Sequence, residues 1–153
     1  MPIAVSSPVQ KFGAYTIDTF QASMVLAGSI YSTYAAGVVA GTIPANALSG
    51  ALTCYLNSAA TTPGTQTTRT ATQLYNDLLA EFGCAVVPPN FTWEFNVTQT
   101  GAGTLTIAGG TGVTTSGTMT VPQNTTRNFL VQFTGTPTNP TFTITAVSVG
   151  TYS

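Results

Sequence analysis

The chain has 153 residues, 43% of them hydrophobic and only 5% charged, with a formal net charge of −1 and no histidine. That length and apolar content suit one domain with a core of ordinary size. Imidazole-based catalysis and histidine metal sites are excluded, and three scattered basic residues cannot track a phosphate backbone, so nucleic acid is not an expected partner.

The charged residues are Lys11, Asp18, Arg69, Asp77, Glu81, Glu94 and Arg127. A typical soluble domain carries about a quarter charged residues. Proton transfer and metal binding draw on the side chains that are scarce here, so neither an enzyme nor a cofactor is expected. The shortage also leaves a lone monomer little net charge to keep it in solution. The composition therefore predicts a structural protein whose surface is covered by copies of itself or by a partner. Threonine makes up about a fifth of the chain, and glycine and valine are frequent, a mixture that favours strands and tight turns.

Residues 1–60 are nearly uncharged and rich in Ala, Gly, Ser and Tyr, and are expected to form an N-terminal arm or β-region making contacts with other subunits or with a partner surface. Their start lacks the basic and apolar segments of a signal peptide. Short β-like runs fall at Ala14–Phe20 and Ala51–Leu56, while Ala22–Ala40 suits helix or strand equally. The apolar window Ala22–Gly41 contains Ser23, Ser29, Ser32, Thr33 and three glycines and has no flanking basic cluster. A buried strand pair or an inter-subunit segment explains it better than a membrane span. Cys54 and Cys84 sit among apolar or aromatic neighbours, which fits buried reduced thiols.

Residues 61–153 are expected to form a helix plus an antiparallel β-domain. A polar Pro-Gly loop over 61–70 leads into one short amphipathic helix, Ala71–Phe82, with Leu74, Tyr75, Leu78, Leu79 and Phe82 on its core face. Thr70 and Gln73 fit a capping box, and Gly83 a left-handed C-terminal cap. Asp77 and Glu81 fall on the outer, solvated face.

From Pro88 the chain predicts consecutive strands. Alternation puts Phe91, Trp93, Phe95 and Val97 inward, then Leu105 and Ile107, then Phe129, Val131 and Phe133, and last Phe142, Ile144 and Ala146. The glycines of Gly101-Ala-Gly103 and Gly109-Gly-Thr-Gly112 join strands as hairpin turns, since neither a helix nor a P-loop lysine follows. Short strands at this spacing predict a mainly β fold, an antiparallel sandwich or barrel of jelly-roll type. Glu94 and Arg127 could pair across neighbouring strands and help set register. The sequons at Asn90, Asn96 and Asn124 lack a secretion signal and are read as unmodified. Thr104/Thr106, Thr118/Thr120 and Thr141/Thr143/Thr145 place hydroxyls at every second position, hence on one sheet face. Ice binding would want a more regular repeat.

The stretch from Thr67 to Val149 resembles a Thr/Gly-rich β-structured module of virion proteins in tailed phages and large DNA viruses. The residues that carry the likeness are Thr68-Arg-Thr-Ala-Thr-Gln-Leu, Trp93-Glu-Phe-Asn-Val-Thr-Gln-Thr-Gly-Ala-Gly-Thr-Leu-Thr-Ile-Ala-Gly-Gly-Thr-Gly-Val-Thr, Gly117-Thr-Met-Thr-Val, Thr125-Thr-Arg-Asn-Phe and Phe142-Thr-Ile-Thr-Ala-Val. The resemblance implies a capsid decoration (cement) or fibre-associated protein on the capsid surface. It also implies a homotrimer that contacts the major capsid protein or other virion proteins, with the capsid as the partner surface of residues 1–60 and with no active site. A fibre or tail module recognising host glycan through the loops at 99–103, 109–112 and 134–140 is the alternative, and a minor capsid or tail-tube protein the second.

Overall fold

The computed structural model describes residues 9–12, 15–18, 32–36, 40–50 and 52–151. The strands are β1 (Val9–Phe12), β2 (Tyr15–Asp18), β3 (Ser32–Ala36), β4 (Ala40–Thr42), β5 (Thr53–Ser58), β6 (Gly64–Thr67), β7 (Thr92–Gln99), β8 (Leu105–Ala108), β9 (Val113–Ser116), β10 (Thr120–Val121), β11 (Thr125–Phe133) and β12 (Phe142–Thr151). Two helices interrupt them, α1 (Ala45–Ser49) and α2 (Ala71–Phe82). Most of the Ala22–Gly41 window lies outside the described residues, as do Ala14, Thr19 and Phe20 of the first β-like run.

The fold is mainly β, as composition predicts, but its sheets are mixed rather than antiparallel, and no described sheet closes into a barrel. A six-stranded sheet has the order β3-β5-β7-β11-β12-β9 and a four-stranded sheet the order β10-β8-β6-β4; β1 and β2 form a separate antiparallel pair. From β3 to β8 each successive strand enters the other sheet. Neighbours within a sheet are therefore two strands apart in sequence, and they run parallel: β3 with β5, β5 with β7, β4 with β6, β6 with β8. Parallel neighbours need a crossover. Here it consists of one strand of the opposite sheet and one helix, α1 between β4 and β5 or α2 between β6 and β7.

Later strands reverse direction. β10 pairs antiparallel with β8 and β11 with β7, while β9 runs parallel to β12. β11 and β12 form a long antiparallel pair from Thr125↔Thr151 to Phe133↔Phe142, with a bulge at Val147 opposite the Asn128/Phe129 step. Alternating hydrophobicity reports which way a side chain faces and nothing about which strand lies alongside. That is why the expected hairpin between β7 and β8 is instead a change of sheet.

α2 begins and ends where its sequence places it. Thr70 Oγ1 accepts from Gln73 N at 3.3 Å and Gln73 Oε1 from Thr70 N at 3.1 Å, completing the capping box, and Gly83 closes the helix at φ 62°. The second helix, α1, is an addition to the single one expected. It is held from the sheet, because the Trp93 indole Nε1 donates to Leu48 O at 2.6 Å.

The core lies on one face of the six-stranded sheet, where Leu56, Phe95, Val97, Phe129, Val131 and Ile144 are fully buried or nearly so. Side chains of both helices and of the four-stranded sheet join the same cluster, and the Phe133 ring lies tilted at 5.3 Å from both Tyr75 and Phe142. Cys54 and Leu56 belong to it through β5, which stands between β3 and β7. A division of the chain after residue 60 would cut through this sheet and its core.

Where the chain passes from β5 to β6 and from β7 to β8, the two corners stack backbone on backbone. Gly103 N donates to Ala60 O at 2.9 Å and Gly64 N to Thr104 O at 3.0 Å. A Cβ at Gly101 would overlap the Ala59–Ala60 backbone, and one at Gly103 the Thr62 carbonyl. In the strand interior a Cβ at Gly41 would meet Gln66 Oε1 at an ordinary 3.5 Å. Gly103→Ala is therefore expected to cost about 1–3 kcal/mol or more through backbone displacement, and Gly41→Ala to stay within about 0.5 kcal/mol. Urea unfolding of the two variants checks this, and equal midpoints would contradict the stacked-corner geometry.

Candidate functional site

The apolar residues singled out by alternation are distributed over both sheets. Trp93, Phe95, Val97, Phe129, Val131, Phe133, Phe142 and Ile144 are buried in the six-stranded sheet, and Leu105 and Ile107 in the four-stranded one. Phe91 is half-buried and stacks on Trp93 at 5.7 Å. On α2, Leu74, Tyr75, Leu78 and Phe82 are buried and Leu79 is partly so.

Glu94 and Arg127 do not form the cross-strand pair. The β7/β11 register sets Glu94 opposite Leu130 and Arg127 opposite Val97, on opposite faces of the sheet. An odd offset separates faces whatever the distance along the strands. Glu94 is exposed on the outer face, whereas Arg127 lies half-buried on the core face and donates from Nε to Thr120 O at 2.9 Å, tying β11 to β10.

The ion pair among the described residues joins Arg69 to Asp77. Arg69 Nε lies 2.8 Å from Asp77 Oδ2 and Nη2 donates to Oδ1 at 3.3 Å, so the loop before α2 is clasped to the helix's second turn. Asp77 is thus half-buried, not on a solvated face, while Glu81 is exposed. Burial pushes the Asp77 carboxyl above its usual 3.8, and the charge and hydrogen bond of Arg69 offset only part of that.

A buried polar row crosses the end of the core: Ser58, Gln99 and Thr125 align in register on β5, β7 and β11 and are all buried. The Gln99 amide Nε2 donates to Ala60 O and Gly103 O, each at 2.7 Å, and approaches Gly101 O at 3.2 Å. Its Oε1 is buried with no partner among the described residues. Sequence reasoning passed over Gln99, although an inward-facing amide just before Gly-Ala-Gly is the signal that marks it.

Threonine hydroxyls form rows across strands as well as along them. Thr65, Thr106 and Thr120 stand side by side on β6, β8 and β10, and Thr114 and Ser116 of β9 align with Thr143 and Thr145 of β12. Thr98 and Thr126 bond to each other at 2.9 Å. Thr104, Thr118 and Thr141 fall outside the strands, which shortens each expected ladder. Of the sequon asparagines, Asn96 is buried at 6% exposure within β7, and Asn90 and Asn124 occupy left-handed turns at φ 59° and 55°. Cys54 and Cys84 are both buried thiols, and Cys84 Sγ donates to Phe82 O at 3.1 Å.

Among the described residues no three His, Cys, Asp or Glu side chains come together as a metal site requires, and no helix is long and apolar enough to cross a membrane. What the geometry offers is surface: an outer sheet face on which, among the described residues, hydroxyls and amides surround Leu130 and the one charge is Glu94. No protein-family model matches the chain, and no curated protein or solved structure matches it either.

The Asp77 carboxyl binds its proton more tightly folded than unfolded. The folded state therefore gains stability as pH falls through the raised pKa toward 3.8, and loses it on the way up. The stability difference between wild type and Asp77→Asn, from urea midpoints, should grow in favour of wild type over that descent. A shrinking difference would mean that Arg69 outweighs the burial.

Proposed function

We propose that the chain is a structural protein of a virus particle, most simply a capsid decoration or cement protein that works by adhesion and catalyses no reaction. The observation that carries this reading is a wide sheet face outside the core whose one charged side chain, among the described residues, is Glu94. Surfaces that stay in water normally intersperse charges of both signs. Charge depletion is instead the mark of the centre of an interface.

In this reading the two sheets are the facing layers of a sandwich, with the helices filling one side. The resemblance of the Thr67–Val149 stretch to virion modules supplies the setting: the capsid surface, with the major capsid protein or other virion proteins as partners and a homo-oligomer, a trimer by the resemblance, as the adhesive unit. The arm of this proposal excludes residues 32–36 and 43–60, because β3 pairs with β5 and residues 43–60 contribute Ile43, Leu48, Cys54 and Leu56 to the core.

The glycan-recognition alternative depends on loops that project. Two of the three are held against neighbouring chain, since Gly103 N donates to Ala60 O and Gly110 N to the Thr68 hydroxyl Oγ1 at 2.8 Å. Residues 134–140 are more open and contain no aromatic side chain. Adhesion through a sheet face is the better supported reading.

The mass of the purified chain in solution tests it first. Light scattering on a sizing column should give a closed multiple of the 15.7 kDa chain. A monomer at every concentration would contradict self-association.

A further inference from the structure

We propose that the outer face of the six-stranded sheet is a two-fold contact with a second copy of this chain, centred on Leu130. This rests on the self-association reading and names the surface responsible. Of the five strands of that sheet whose side chains are described, β5, β7, β11, β12 and β9, the middle one is β11, and Leu130 sits on it at 39% exposure. Val147, the extra residue of the β12 bulge, is 64% exposed on the same face. These are two of the three exposed large hydrophobic residues among the described residues, and the flanking positions are hydroxyls and amides apart from Glu94 beside Leu130. An apolar centre inside a polar rim whose one charge, among the described residues, is Glu94 matches the anatomy of a protein interface.

The dimensions agree. Five strands spaced about 4.8 Å apart and about six residues long make a face roughly 24 by 20 Å in projection. With its side-chain relief that approaches the ~800 Å² each partner contributes to a standard interface. Two such faces pack with their sheets ~10 Å apart.

The single charge selects the occupant's orientation. Along one register row lie Glu94, Leu130, Thr145 and Ser116. A two-fold axis parallel to the strands brings Leu130 against its own copy and turns Glu94 toward the partner's Thr145, so that a hydroxyl donor meets the one carboxylate. An axis across the strands would oppose two Glu94 carboxylates and is disfavoured. A face that meets itself is isologous and closes as a dimer, not as the trimer that the resemblance implies.

Light scattering of the full chain over a dilution series, for wild type, Leu130→Arg and Val147→Asp, tests this, with thermal unfolding to show that each variant folds. The expected result is a wild-type mass twice that of the chain and a shift of at least tenfold in the dimer dissociation constant for either variant, at unchanged melting temperature. An odd-numbered assembly, or an oligomer that both variants leave intact, overturns this face while self-association stands. A wild-type monomer throughout overturns both, and would mean that another segment or another protein meets this face.

Discussion

The amide of Gln99 holds together the place where the chain changes sheets. Three carbonyls, from Ala60, Gly101 and Gly103, converge on one Nε2 inside the core boundary. Ala60 O also accepts from Gly103 N, but the buried Gly103 carbonyl without this donor would cost about 1–3 kcal/mol. Two consecutive coils of the winding turn their corners at this point. Because Gly101 and Gly103 have no Cβ, the corners can sit close enough for one side chain to reach both. The parallel pairing of β5 with β7 and of β6 with β8 leads into and out of that stack, so both sheets depend on it.

From that corner the rest of the architecture follows. Parallel strands stacked coil on coil leave no room for a hairpin, so the return path from one sheet to the other is taken by α1 and α2, whose apolar faces close the core. Trp93 links sheet and helix by its indole hydrogen bond, and Arg69 clasps the entrance of α2 to its second turn. Among the described residues, both helices and the smaller sheet pack on one side of the larger sheet. The proposed adhesive function uses that asymmetry: one side makes the fold, the other makes contacts.

Much of this was legible in the residues and some was not. Helical spacing from Leu74 to Phe82 with Thr70, Gln73 and Gly83 at its ends defines α2 completely, because local capping chemistry does not depend on what lies across space. Alternation identified the inward set from Trp93 to Ile144 for the same reason. It failed on topology, since Leu105 and Ile107 look like the return strand of a hairpin and belong instead to a different sheet. Residues 1–60 read as an arm or β-region set apart from 61–153, but the β-like run at Ala51–Leu56 becomes β5, whose Cys54 and Leu56 belong to the shared core. The Glu94–Arg127 pairing was lost through parity, which only the actual register can fix. Gln99 is passed over although the alternation places it inward, and its role depends on Ala60, brought beside it by the winding.

The stacked corner is tested most directly by amide hydrogen exchange of the native protein. Gly103 N–H, Gly64 N–H and Thr100 N–H bond to Ala60, Thr104 and Ser58 across the two coils. If these turns hold the sheets together, their amides should exchange only with global unfolding, in the same slow class as the centre of β7. Fast exchange at all three, as in ordinary surface turns, while β7 stays protected would contradict this: the two sheets would then be united by something other than the corner.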